Sequence, residues 1–201
     1  MLNCAFFEKL KAIRNVIFYD KPLNLSEKYI SVEKRLGAQL PKSLKEFYMI
    51  FGEESEFLKC MYDIASPEEI AVDNGILVFA KENQNVCAYG IELQSQKLVY
   101  LDESNNITQT TEQSLDDFLL YLTAFQCTEF LPSVGVLETK FTDQIEKYML
   151  RLTLAKNEGA VYYIDCKAVG VRCGDEIYIC MRSDDDLEEF ENSSGLLLDW
   201  L

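Results

Sequence analysis

Apolar positions along this chain change period several times, and each change marks an element. Ile76 to Leu93, ILVFAKENQNVCAYGIEL, is an apolar run, a polar break at Lys81 to Asn85 and a second apolar run. That pattern predicts a hairpin at the centre of a sheet. Upstream, Phe6, Phe7, Leu10, Ile13, Ile17 and Phe18 recur at helical spacing, with Pro22 ending the helix. Such a stripe suits core packing, and it would equally suit a docking helix for a partner. Ser26 to Arg35 reads as a second helix closed by Gly37, with Tyr29, Ile30, Val32 and Leu36 as its apolar positions. A third follows Pro41, with Ser43 and Glu46 spaced as a capping box, Leu44, Phe47, Tyr48 and Phe51 on one face, and Gly52 as its stop.

The pattern between this corner and the hairpin is less regular. Phe57 to Ile64 predicts an irregular strand or a turn of helix, Ser66-Pro67-Glu68-Glu69 a helix start, and Asp73-Asn74-Gly75 a loop into the hairpin. Leu98 to Leu101 predicts a third strand with its turn at Asp102 to Asn106. Ser114 caps a helix with Asp116 and Asp117 in its first turn and Leu115, Phe118, Leu119 and Leu122 on its buried face. Pro132 to Gly135 offers a domain boundary. Beyond it Phe141, Ile145, Tyr148, Met149 and Leu152 predict a helix terminated at Asn157 to Gly159. Three strands follow, VYYIDC, VGVRC and EIYIC, the last two joined as a hairpin across Gly174-Asp175. Ser183 caps a final helix that Gly195 ends, and LLLDWL runs on extended. The expectation is an α+β fold. A mostly antiparallel sheet surrounds the central hairpin, N-terminal helices pack on it, and helix, strands and helix extend the same body: one domain over 1–201, with a core at about 26–126 and an extension at about 132–201.

Composition narrows the function. The 201 residues, 48% hydrophobic and 12% aromatic, suffice for a sizeable core. The net charge of −15 opposes binding to nucleic acid or an anionic membrane and permits a basic protein partner. The same charge would serve solubility alone. The chain has no histidine, which excludes Cys-His and Ser-His-Asp nucleophiles and histidine metal ligands. Its seven cysteines form no C-x-x-C pair, so the pattern predicts no zinc site and reduced thiols in a cytosolic protein. The start, with Glu8 and Lys9 among its apolar residues, is not a signal peptide, and no window has the apolar length of a membrane span. No glycine-rich phosphate loop or other cofactor motif appears, and Arg35, Arg151, Arg172 and Arg182 are too dispersed for a phosphate clamp.

One combination of motifs resembles a known family. Leu36, Gly37, Leu40, Pro41, Phe47, Tyr48 and Gly52 give L-G-x-x-L-P-x5-F-Y-x3-G; Phe79-Ala80-Lys81-Glu82-Asn83-Gln84 gives F-A-x-E-N-Q; Gly90-Ile91-Glu92-Leu93 and the Ser114 to Leu119 helix start follow. In this order they resemble the SUKH superfamily, Smi/Knr type, over about Ser26 to Gln126. Tyr89 stands before Gly90 where the family often has Trp. The resemblance implies a binding protein. Bacterial members act mainly as immunity proteins that neutralise a cognate toxin, often a nuclease, and fungal relatives act as regulatory modules in cell-wall synthesis.

Two polar clusters could carry function. Asp184, Asp185, Asp186, Glu188, Glu189 and Glu191 form the densest acidic run. They could meet a basic partner, or complete a helix start and a solvated face. A metal site or an acid-base pair would need convergence or unequal burial that adjacency does not supply. Glu82, Asn83 and Gln84 could line a pocket, yet a hairpin turn needs such residues anyway. Cys166, Cys173 and Cys180 read as core thiols. The expectation is a non-catalytic immunity protein binding a basic toxin through an acidic surface. A regulatory scaffold stands second and a carboxylate-dependent enzyme third.

Overall fold

The computed structural model describes residues 5–84, 86–154 and 159–201. Its order is α1 (Phe6–Ile17), α2 (Lys28–Leu36), α3 (Lys42–Phe51), α4 (Ser55–Leu58), β1 (Tyr62–Ile64), β2 (Ala71–Asp73), β3 (Ile76–Glu82), β4 (Ala88–Glu92), β5 (Lys97–Leu101), β6 (Ile107–Thr110) and α5 (Leu115–Phe130). There follow β7 (Ser133–Glu138), a 3₁₀ turn, α6 (Thr142–Tyr148), β8 (Leu150–Arg151), β9 (Val161–Ile164), β10 (Ala168–Cys173), β11 (Glu176–Met181), α7 (Asp184–Ser194) and β12 (Asp199–Trp200). The fold is α+β with antiparallel pairing throughout the described ladders, organised as two sheets. The chain divides into two compact units, Leu23–Leu119, here the hairpin unit, and Met1–Pro22 with Leu120–Leu201, here the terminal unit. Beside the expected core at 26–126, the hairpin unit spans 23–119, and the N-terminal helix is grouped with the C-terminal strands.

In the hairpin unit, β1 and β2 share one edge of β3, and β4, β5 and β6 follow on its other side. The β3–β4 hairpin is central, as its apolar runs predict. A bulge between Val78 and Ala80 makes Phe79 an extra residue in β3. Phe79 is fully buried and meets Phe118 edge-on with centroids 6.1 Å apart. Phe47, Phe51 and Phe57 continue this aromatic core at 5.3 and 4.9 Å. A second cluster, Ile76, Val78, Ala88, Val99 and Leu101, lies in the same sheet. Asn74 and Gly75, at φ 49 and 80, are the two turn residues between β2 and β3, the type I′ arrangement that Asn-Gly favours.

The structure departs from several local expectations. Ser66-Pro67-Glu68-Glu69 makes one turn, not a helix, before β2. The Ser43–Glu46 capping box does not form: Pro41 is the N-cap of α3, and Ser43 Oγ donates instead to Asp116. α1 ends at Ile17, ahead of Pro22, with the Phe18 N–H bonded to Arg14 O. Ile30 and Leu36, read as apolar face positions of α2, are not buried; Val32 alone is. Strand β6 follows the Asp102 to Asn106 turn without an apolar signal, all four residues being exposed.

The terminal unit holds the second sheet, β12-β7-β11-β10-β9-β8. α1 belongs to it, with Lys9 Nζ donating to Leu152 O at 2.6 Å. Its core joins Leu137, Ile145, Met149, Tyr162, Ile177, Ile179, Leu187, Phe190 and Leu198. The proposed boundary at Pro132 to Gly135 lies within the entry to β7, where Gly135 leaves room for Leu198: a Cβ there would stand 2.8 Å from the leucine Cβ. The helix read through Leu152 ends at Tyr148, because Leu150 and Arg151 pair with Tyr163 and Tyr162. Its expected stop at Asn157 lies outside the described residues. The Gly174-Asp175 hairpin forms as expected, with Gly174 at φ 59. No described helix is long and apolar enough to cross a membrane.

Candidate functional site

The acidic run lies on α7, whose start follows from Ser183. Its backbone is extended, and its Oγ accepts the Asp186 N–H at 3.2 Å and donates to Asp186 Oδ2 at 2.9 Å. Gly195, left-handed at φ 67, closes the helix. Leu187 and Phe190 turn into the core, which leaves the carboxylates outward. Four of the six have partners: Asp184 accepts Ser133 Oγ at 2.5 Å, Asp186 holds Ser183, Glu189 takes Lys167 Nζ at 3.1 Å on both oxygens, and Glu191 accepts the Leu198 N–H at 2.7 Å. Asp185 and Glu188 have no partner among the described residues. α7 carries no lysine or arginine.

Beside this helix lies a slot of about 200 Å³. Tyr148, Ile164, Met181 and Phe190 form its apolar walls, and Lys167, Asp186, Glu189 and Ser193 its polar rim. On α7 the lining positions 186, 189, 190 and 193 share one face by helical spacing. Tyr148 meets Phe190 edge-on at 6.4 Å and remains 45% exposed.

The motif residues lie in the hairpin unit, where they close helices, fill the core and tie loops to the sheet. Gly37 closes α2 at φ 64; Leu40, Phe47 and Tyr48 are buried, and Pro41 caps α3. Tyr48 Oη donates to Ala65 O at 2.8 Å, and burial raises its phenol pKa. Arg35 Nη2 donates to Pro67 O at 3.0 Å and Ile70 O at 2.8 Å, a clamp that its isolation in the sequence did not suggest. Lys59 bridges Asp63 and Glu69. Its hydrogen bond to Glu69 at 2.9 Å, with that from the Ser66 N–H, lowers the Glu69 carboxyl to about 2. Asn83 Nδ2 donates to Cys60 O at 2.8 Å, tying the hairpin tip to the preceding loop. The Glu82 N–H bonds Cys87 O, and Tyr89 is buried with the Cys87 thiol 3.5 Å from its hydroxyl. Gly90 leaves space for Ile76. Gln84 is exposed and lines a cavity of about 450 Å³, which shares Lys81 and Asn105 with one of about 330 Å³.

The C-terminal cysteines do not form one group. Cys180 is buried, which raises its thiol pKa, Cys173 is half-buried, and Cys166 is exposed in a turn at φ 53. Among the described residues no cluster of three His, Cys, Asp or Glu could hold a metal ion. Both units are acidic. The hairpin unit carries 17 acidic and 8 basic residues, net −9, and the terminal unit 17 and 11, net −6. Comparison with protein-family models, curated proteins and solved structures finds no match.

Proposed function

We propose that this chain is a non-catalytic binding protein: an immunity protein that neutralises a basic cognate toxin, such as a nuclease, by stoichiometric association in the cytoplasm. The observation that carries this reading is α7. Hydrogen bonds or an ion pair engage Asp184, Asp186, Glu189 and Glu191, while Asp185 and Glu188 have no partner among the described residues on a helix without a basic residue. An acidic face of this kind draws in a basic one over long range and disfavours like-charged competitors. The motif pattern from Leu36 to Leu119, similar to the SUKH superfamily, points the same way, as does the net charge of both units.

The test is a pull-down and a toxicity assay against the product of the adjacent open reading frame. The expected result is a one-to-one complex that abolishes toxicity, with association slowing steeply as salt rises from 0.05 to about 0.5 M, where the Debye length falls to a few ångströms. A neighbouring product that is neither bound nor neutralised overturns the reading.

A further inference from the structure

We propose that the slot beside α7 is an arginine-recognition site, taking one arginine side chain from the basic partner; this rests on the binding function proposed above. Size sets the first limit. At about 200 Å³ the slot lies below the roughly 300–1,000 Å³ of pockets that hold drug-sized ligands. A single long side chain suits it better than a metabolite. Its interior is graded in the same way as that side chain. Met181 and Phe190 are almost fully buried, Ile164 is half-buried, and the carboxylates of Asp186 and Glu189 stand on the rim. An aliphatic stem lies against the apolar walls while its charged head stays at the edge.

Two features select arginine over lysine. Tyr148, 45% exposed and lining the slot, supplies an aromatic ring, a partner that guanidinium takes more often than ammonium does. Asp186 commits Oδ2 to Ser183 and keeps Oδ1 without a partner among the described residues, one i,i+3 step from Glu189. The rim thus carries two carboxylates one helical turn apart, several acceptors that the five donors of a guanidinium fork engage better than a compact ammonium does. Lys167 already occupies Glu189, but that pair is solvent-exposed, at 50% and 66% side-chain exposure. Pairs of this kind contribute little, so an incoming guanidinium shares or displaces it. The position of Lys167 makes it a competitor rather than a wall.

The test uses acetyl-arginine amide and acetyl-lysine amide titrated into the full ¹⁵N-labelled chain. The expected result is saturable amide shifts confined to Ile164, Lys167, Glu189, Phe190 and Ser193, with tighter binding of the arginine probe. Tyr148→Ala weakens it about two- to fivefold, the range for a cation–π contact at an exposed site. Glu189→Gln weakens it too, and Lys167→Ala strengthens it by removing the competitor. Since all three side chains are exposed, the variants fold. Shifts spread over both units without saturation, or an arginine response unchanged in Tyr148→Ala, overturn the proposal. Saturable binding in the slot beside a neighbouring gene product that is not neutralised removes the function proposed above and leaves the slot. Neutralisation that Tyr148→Ala and Glu189→Gln leave unchanged removes the slot's role and leaves that function.

Discussion

Gly90 lies in β4 between Val78 of β3 and Val99 of β5, with backbone angles that an alanine can adopt. A Cβ added there would stand 2.5 Å from Ile76 Cγ2, and 3.3 Å from both Leu101 Cδ1 and Leu77 O. Carbon atoms in contact sit about 3.5–4.0 Å apart, so Ile76 must retreat by more than 1 Å. Its methyl is on a β-branched carbon, and its backbone is paired on both sides, to Glu92 and to Asp73. Rotation is therefore restricted. Overpacking of this kind costs about 1–3 kcal/mol, offset by about 0.4–1 kcal/mol from the stiffer unfolded chain, so Gly90→Ala destabilises the hairpin unit by about 1–2 kcal/mol. Ile76→Ala alone costs about 2–4 kcal/mol by leaving a cavity. In the double variant the new methyl enters that cavity, and the pair should fall short of the sum by about 1–2 kcal/mol. Ile76→Val keeps the same branching and should give no rescue. Native-state hydrogen exchange of the β3 and β4 amides reads the opening of this unit directly. Additivity within about 0.5 kcal/mol for the Ile76→Ala pair would refute the close-packing account.

Other outcomes concern the bonds that hold the loops on either side of β1. Asn83→Ala loses the bond to Cys60 O and should lower stability by about 1 kcal/mol. Arg35→Ala strips donors from Pro67 O and Ile70 O, costs about 2–3 kcal/mol and opens residues 66–70 to limited proteolysis; Arg35→Lys, lacking the guanidinium's planar reach, should restore less than half. Glu69 has its folded carboxyl lowered from 4.5 to about 2, so its contribution is present above pH 4.5 and is lost as pH falls toward 2. Because the pair is exposed, the stability gap between wild type and Glu69→Gln should be at most about 1 kcal/mol at pH 7 and close by about pH 2; a gap that widens in acid refutes the assignment.

Elements were legible in the sequence where period and punctuation agree. The α1 stripe, the Ser114 and Ser183 caps, Gly37, Gly195 and the two-residue turn at Gly174-Asp175 lie where chain-local physics puts them. The misreadings share a cause in partners distant along the chain. Ser66-Pro67-Glu68-Glu69 has the residues of a helix start, but Arg35, 32 and 35 positions earlier, and Lys59 hold it as a single turn. Ser43 has a local capping partner in Glu46 and spends its hydroxyl on Asp116. Pro132 to Gly135 has the composition of a linker, yet Gly135 is small because Leu198 covers it. Strand β6 shows no alternation because neither of its faces is buried. The slot was invisible for the same reason as these: its walls come from α6, β9, β11 and α7, and only the α7 rim forms a run in the sequence.

That run of six carboxylates carries more than one role. Helix electrostatics favour acids in the first turn, where Asp184, Asp185 and Asp186 lie; Asp184 and Asp186 also engage Ser133 and Ser183, whereas Asp185 has no partner among the described residues. The same field disfavours an acid near the C-terminus, where Glu191 stands. Its bond to the Leu198 N–H compensates by fixing the chain as it enters β12, so Glu191 belongs to the fold. Glu188 and Glu189 lie beyond the reach of the helix start, and neither is buried. Among the described residues, Glu189 meets an exposed lysine and Glu188 meets no partner. A substitution scan along α7 therefore separates the roles by position. Loss of stability should follow Glu191 and Ser183, and loss of partner binding should follow Asp185, Glu188 and Glu189. A run that served solubility alone would show neither pattern.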